Sequence, residues 1–363
     1  MADQPLTPKV RGRGAQSQPA NRYLTTQMEW DLTDCDQDAE LLEGLRKPDT
    51  VYHSDESQTI VSQNNSPDIP FRYSMNPYRG CAHGCSYCYA RPTHEYLGLS
   101  AGLDFETQVF VKHRAAELLR KWLAKPKWQG EWIALSGVTD CYQPAEQRFK
   151  ITRSCLAVAA ECRQPMGIIT KNALVVRDLD LLTELAQFNA VHVAISLTTL
   201  DSQLARTMEP RTSTPEARLR TLATLSAAGI PTQVVVAPII PGLTDSEVPA
   251  ILAAAREAGA RAASFVLLRL PKAVDQVFFD WLRQCYPDRA TKVEMLTRAT
   301  RDGQLYKSEF GKRMRGEGEI ARQIEQTFRV FAGKYGFEKR LPPLDSSHFR
   351  PPGEPGGQRR LFD

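Results

Sequence analysis

Three of the eight cysteines, Cys81, Cys85 and Cys88, lie in one C-x3-C-x2-C loop within the stretch Ser74-Met-Asn-Pro-Tyr-Arg-Gly-Cys-Ala-His-Gly-Cys-Ser-Tyr-Cys-Tyr-Ala-Arg-Pro92. Thiolates this close in sequence are soft ligands suited to zinc or to an iron–sulfur cluster. A [4Fe–4S] cluster normally takes four of them, and only three are local here. A cluster held by three cysteines leaves one iron open to bind something else, which is a functional arrangement and not a structural one. The residues alone also allow a zinc site completed by His83 or a distant cysteine, or a set of free thiols. Gly80 and Gly84 favour the cluster, because they are small residues where a loop must curl around a metal group.

The spacing, with the aromatic Tyr87 before the last cysteine, resembles the radical S-adenosylmethionine (SAM) superfamily, in which the open iron chelates the amino and carboxylate groups of SAM. The flanks Asn76-Pro77-Tyr78-Arg79-Gly80 and Tyr89-Ala90-Arg91-Pro92, with Tyr87 and Tyr89 on either side of Cys88, resemble the branch related to spore photoproduct lyase. The resemblance spans roughly residues 67–285. It implies a [4Fe–4S] cluster on Cys81, Cys85 and Cys88, with SAM as the second cofactor and an electron donor such as flavodoxin or ferredoxin as a partner. In the implied reaction the reduced cluster cleaves SAM homolytically, and the 5′-deoxyadenosyl radical abstracts hydrogen from a substrate.

Such a loop needs a scaffold, and from about Phe71 the chain alternates short β-branched runs with helical runs, the signature of repeated βα units and a parallel sheet. Strands are predicted at Arg72–Pro77, Trp132–Ser136, Gly167–Thr170, Val191–Leu197, Thr232–Pro238 and Ala263–Leu268. Amphipathic segments fall near 113–125, 146–163, 175–187, 214–228, 245–258 and 273–284. Six βα units match the partial (β/α)6 TIM-type barrel of the radical SAM class, with N- and C-terminal extensions. Right-handed crossovers put every strand's C-terminal end on one face, together with the cysteine loop.

The residues at those strand ends are therefore candidates. Strand two ends in Ser136-Gly137-Val138-Thr139-Asp140-Cys141, and the resemblance implies that this Thr-Asp pair replaces the usual Gly-Gly-Glu beside the SAM amine, with Ser136, Thr139 and Asp140 as contacts. Thr-Asp after a strand is equally an ordinary turn or helix cap. Lys171 in Ile169-Thr170-Lys171-Asn172 is implied near the SAM carboxylate, Ser196 near its ribose or carboxylate, and Tyr87 beside the cofactor. Pro238-Ile239-Ile240-Pro241-Gly242 is similar to the superfamily's adenine-packing stretch but lacks its first glycine, leaving Ile239 and Gly242 as contacts. The lyases also use a cysteine near the end of strand two as hydrogen donor, which implies Cys141 as a donor relayed through Tyr89 and Tyr87. Their cysteine precedes the Ser-Asp pair, whereas Cys141 follows Asp140, so a buried structural cysteine is the other reading. Arg211 in Glu209-Pro210-Arg211 reads either as a substrate-phosphate contact or as an internal salt bridge, and His94, His113 and His192 read as structural.

At 363 residues and 42% apolar, the chain accommodates one barrel-sized domain with tails. The expected organisation is an arm over 1–66, partly disordered, a core barrel over 67–285, a basic helical extension over 286–340 and a flexible tail over 341–363. Neither a signal-peptide core nor a spanning run is present in the sequence, and the five other cysteines lack a disulfide pattern, so a soluble cytoplasmic protein is expected. Net charge is +4, with residues 1–27 at +3 and residues 311–340 at +4 around a mildly acidic body, a distribution suited to gripping a polyanion or simply to solvation. Residues 1–27 have the composition of a disordered or wrapping arm. The last residues, with Gln358, Leu361 and Phe362, resemble the Q-x-x-L-F peptide by which replication and repair proteins dock on the bacterial DNA sliding clamp. A nucleic-acid enzyme akin to the lyases, a DNA-repair activity among them, therefore stands beside a radical enzyme acting on a protein, cofactor or metabolite, and beside a non-catalytic metal-binding adaptor.

Overall fold

The computed structural model describes residues 10–25 and 47–353. Its strands are β1 (Val51–Ser54), β2 (Val61–Gln63), β3 (Tyr73–Met75), β4 (Tyr78–Arg79), β5 (Gln108–Val111), β6 (Ile133–Leu135), β7 (Met166–Thr170), β8 (Val191–Ser196), β9 (Thr232–Ile239) and β10 (Ala262–Leu267). Six of them, in the order β3-β6-β7-β8-β9-β10, run parallel, and β2 lies antiparallel on the β3 edge. No pairing joins β10 to β2, so the sheet is an open, partial barrel.

Period-two alternation sorts the side chains of each strand between the two faces. In β8, Val191, Val193 and Ile195 pack under the helices while His192, Ala194 and Ser196 face the lumen. In β9, Val234 and Val236 pack outward, with Gln233, Val235 and Ala237 inward. β-Branched residues suit this pleated, doubly covered position, and Ala, Ser and Gly leave space inside. The helices Ala115–Leu123, Ile151–Cys162, Leu179–Ala186, Pro215–Ala227, Val248–Glu257 and Val274–Cys285 supply the outer layer. The Pro215–Ala227 helix starts where its sequence says it should, with Pro215 in the first turn and the Thr214 hydroxyl accepting from Ala217 N.

Two regions depart from the sequence reading. Ahead of the barrel, Asp55 Oδ1 accepts from Ser57 N at 2.8 Å, and that turn separates β1 from β2, which join different sheets. β1 pairs in parallel with β5, a strand the periodicity did not reveal. After the last βα unit, Pro287 opens a further helix over Pro287–Ala299, and the basic helix is confined to Gly318–Lys334, burying Ile324 and Phe328 as its spacing requires. Residues 10–25 contain no helix or strand, yet Val10, Arg13 and Ala15 are buried, so this part of the arm wraps the body.

The C-terminal extension spans the seam between the two sheet edges. On one side Asp68 accepts from Gly311 N at 2.7 Å and pairs with Arg313. On the other, Phe328 packs on Phe265, Glu338 bridges Ala262, and its carboxylate pairs with Arg261. Among the described residues no helix is long and apolar enough to cross a membrane.

Candidate active site

The chain leaves β3 through β4 and enters the cysteine loop, with Gly80 and Gly84 in the left-handed region at φ 74° and 68°. A side chain at Gly80 would also meet Gln108 O at 2.9 Å and His94 Cε1 at 2.8 Å, so glycine is required twice over. Cys81 N donates to Phe105 O at 2.8 Å and Ser86 N to Met208 O at 3.0 Å. Gln143 bridges the loop, accepting from Ala82 N at 2.9 Å and donating to Gly80 O at 3.0 Å. The thiols of Cys81, Cys85 and Cys88 are free, and all three residues line one cavity of about 2190 Å3. Among the described residues no three His, Cys, Asp or Glu side chains gather around a single point as one metal ion requires. A cubane meets each thiolate at a separate iron and makes no such demand, so the donor set fits a three-cysteine cluster.

Behind the loop, the strand ends form one polar network. Ser136, at φ 81°, accepts from Cys141 N at 2.8 Å and lines the cavity. Thr139 N donates to Asn76 Oδ1 at 3.1 Å, and the Thr139 hydroxyl donates to Tyr78 O at 2.9 Å, fastening the turn after β6 to the start of the cysteine stretch. Asp140 Oδ1 accepts from the Thr170 hydroxyl and from Tyr142 N, both at 2.8 Å, while Oδ2 accepts from Lys171 N at 2.8 Å and lies 3.5 Å from His83 Nδ1. Lys171 Nζ donates to Ser196 Oγ at 2.6 Å and Ala237 O at 3.0 Å, and stands 3.3 Å from Glu209 Oε1. Thus Asp140, Lys171 and Ser196, from three different strand ends, meet in one cavity with the thiols.

The hub of this network is Glu209, which the sequence did not single out. Its buried carboxylate accepts from Thr198 Oγ1 at 2.8 Å and pairs with Arg218 and with the Tyr87 hydroxyl. Burial alone would raise its pKa, but Arg218 and Lys171 outweigh that and hold the carboxyl below the usual carboxylate range. An arginine amid the apolar positions of the 215–227 helix was the available signal, since a buried Arg demands a buried acid. Among the described residues Arg211 forms no salt bridge; its Nε donates to Gly12 O at 3.1 Å, in the arm.

Of the other expected residues, Tyr89 lines the cavity, whereas Cys141, Ile239 and Gly242 do not. Tyr89 is partly exposed, donates to Gly137 O at 2.9 Å, and lies under Arg269, whose guanidinium is 4.2 Å from the ring centre. Cys141 is wholly buried among apolar residues, absent from the cavity lining, and its pKa is pushed well up by burial. Ile239 is likewise core, and Gly242 faces Leu296 of the 287–299 helix; Ala237 and Pro238 line the cavity instead. Gln358, Leu361 and Phe362 lie outside the described residues.

Residues 75–255 match the family model of the Radical SAM superfamily. An uncharacterized protein of Mycobacterium tuberculosis is 42% identical over 236 residues, covering 64% of this chain and 69% of that protein. One from Methanocaldococcus jannaschii is 33% identical over 184 residues, covering 50% of this chain and 66% of its own. A spore photoproduct lyase variant has the same fold at a TM-score of 0.59 and 17% identity, covering 87% of this chain and 86% of that one. Another, solved with AdoMet and dinucleoside spore photoproduct, aligns at a TM-score of 0.57 with 17% identity, covering 79% of this chain and 80% of that one.

Proposed function

The chain belongs to the radical SAM superfamily, and on that premise we propose that it is an enzyme acting on a nucleic acid, with Cys81, Cys85 and Cys88 as the ligands of its cluster. The superfamily's cofactors are a [4Fe–4S] cluster and SAM, which together supply a 5′-deoxyadenosyl radical that takes hydrogen from substrate. The chain's own part is to bind, aim and exclude water. In this reading Asp140 offers its carboxylate to the SAM amine, oriented by the Thr170 hydroxyl and two main-chain donors. Lys171, aimed by Ser196 and paired with Glu209, serves the SAM carboxylate. Ser136 and Thr139 shape the turn that presents Asp140, and Tyr87 anchors the loop to Glu209. Tyr89, beside Cys88 and over the cavity mouth, is on the substrate side. The burial of Cys141 favours a structural role for it.

The observation that carries the substrate class is the cavity itself. It runs from the thiols to residues 310–344, far larger than one nucleoside cofactor fills, and Arg269, Lys339 and Arg340 line it with no carboxylate partner among the described residues. Of the other basic groups of this extension, Arg313 pairs with Asp68, and Arg315 and Arg329 share Glu325. In the arm, Arg13 is buried and Arg22 pairs with Glu95, so neither is available to grip a polyanion. A lyase of the same fold binds a dinucleoside lesion, in keeping with this reading. Organisation into arm, barrel, basic extension and tail, and docking on a sliding clamp, belong to the proposal.

The test is anaerobic turnover with oligonucleotides deuterated at the sugar and at the thymine methyl, following label into 5′-deoxyadenosine. Binding should weaken steeply with salt, and Lys339→Gln with Arg340→Gln should lower the slope of log K against log salt by about one to two. Unlabelled 5′-deoxyadenosine with salt-insensitive binding would move the substrate to a protein or metabolite; no SAM cleavage at all would leave a metal-binding adaptor.

A further inference from the structure

The arm residues Arg13-Gly14-Ala15 meet the cysteine loop through a buried carboxylate. Glu106 accepts from Ala15 N at 2.7 Å and Gly14 N at 3.2 Å, and pairs with Arg91. Arg91 in turn donates to the carbonyl of Cys85 from Nε at 3.1 Å and from a terminal nitrogen at 2.8 Å, and holds Ala101 O and Gly102 O with the other. Arg91 and Glu106 are both buried, so this chain of charge-assisted bonds is shielded from water. The arm also touches the loop directly. A Cβ on Gly14 would lie 1.8 Å from Gly84 O and 2.9 Å from Ser86 N, so no other residue fits between the arm and the Cys81–Cys85 turn. Arg13 locks this contact, donating to Glu106 O at 2.9 Å, Pro48 O at 2.7 Å and Thr50 Oγ1 at 2.9 Å.

We propose that Arg13-Gly14-Ala15 is a positioning clamp for the cysteine loop, acting through Glu106 and Arg91 on the Cys85 peptide. The proposal rests on Cys81, Cys85 and Cys88 being the cluster ligands. The physical reason is that a three-ligand loop has no fourth covalent tie, so its shape is set by what packs against it. The clamp fixes both the carbonyl of the central ligand and the turn before it, and its dipoles and buried charges form part of the electrostatic surroundings of any group the thiols hold.

The experiment compares the full-length chain with Gly14→Ala, Glu106→Gln and Arg13→Met, taking Arg22→Ala as the control that removes an arm contact with Glu95 and none with the cysteine loop. In metal-free protein the rate of Cys85 alkylation, read by mass spectrometry, should rise about tenfold or more in Gly14→Ala and Glu106→Gln, the effect of losing one or two buried charge-assisted bonds. Arg22→Ala should leave it unchanged. After anaerobic reconstitution, the electron paramagnetic resonance line shape of the reduced cluster should shift in the same variants and not in the control, a change that a general loss of stability does not produce. Wild-type alkylation rates and spectra in the three clamp variants would overturn the proposal, as would equal changes in the control. If Gly14→Ala loses its cooperative unfolding transition, Arg13→Met, which introduces no clash, decides. A wild-type chain that assembles no cluster would refute the ligand assignment, while the alkylation rates, which need no cluster, still judge the clamp.

Discussion

Replacing Glu209 with glutamine tests whether one buried carboxylate organises the cavity floor. The carboxylate is fully enclosed and faces the Arg218 guanidinium, itself 1% exposed, and the Lys171 ammonium, 15% exposed. Glutamine keeps the shape and one acceptor but leaves a buried guanidinium uncompensated, a loss of about 3–5 kcal/mol. Arg218→Met added to Glu209→Gln removes both charges, so the double variant should be more stable than the sum of the singles by about 2–3 kcal/mol. Urea unfolding followed by circular dichroism at pH 7, on anaerobic metal-free protein, measures all four corners of the cycle. The carboxyl is held below its ordinary value of 4.5, so the stability it contributes is present above that pH and lost only as pH falls toward the lower folded-state value. A Glu209→Gln cost under about 1 kcal/mol, or additive singles, would refute the reasoning, because the network would then be solvated after all.

Cys85→Ala should abolish the [4Fe–4S] absorbance and iron content of anaerobically purified protein, whereas zinc as sole metal in the parent chain would overturn the ligand assignment. His94, buried with Nε2 on Gln108 O at 2.8 Å, has its pKa lowered to about 4 by burial. The unfolded chain therefore binds the proton more tightly, and stability should fall by up to about 3 kcal/mol as pH drops from 6.5 through 4. His94→Gln should remove that slope, measured as urea midpoint against pH; an unchanged slope would show that another group carries it. Cys141→Ala should lower stability by about 1–2 kcal/mol while leaving the product distribution unchanged once a substrate is in hand; altered products would restore the hydrogen-donor role.

The barrel was legible because each βα unit announces itself locally: β8 alternates Val, Val, Ile with His, Ala, Ser, and the Pro215–Ala227 helix of the same unit carries its own Thr-Pro start. The cysteine loop was legible for the same reason, all its ligands lying within one short stretch. What escaped reading depends on distance. β1 and β5 are four-residue strands that pair only with each other and with β4, and neither has a pattern that its partner does not complete. Glu209 looks like an ordinary loop acid until Arg218, nine residues on, is turned inward against it. Ile239 and Gly242 were expected at the cofactor, but Ala237 and Pro238 line the cavity, Ile239 is buried in the core, and Gly242, beyond the end of the strand, faces Leu296. Composition marked the arm as poor in structure, and residues 10–25 contain no helix or strand, but composition does not register that Gly14 is the residue small enough to pass against Gly84.

An open barrel has two free sheet edges, and such edges are templates for pairing between molecules. Here one edge is β2, three residues long and too short to seed a ladder. The other, β10, is overlaid by the 318–334 helix through Phe328 and capped by the bridge from Ala262 to Glu338. The segment that lines the far end of the cavity is thus also what keeps the sheet from growing. A chain shortened to end near residue 317 would uncover six residues of β10, Ala-Ala-Ser-Phe-Val-Leu, a β-prone and uncharged run. Its solubility would then depend on concentration in a way that the full chain's does not, and the boundary at which this protein can be cut is set by aggregation before it is set by catalysis.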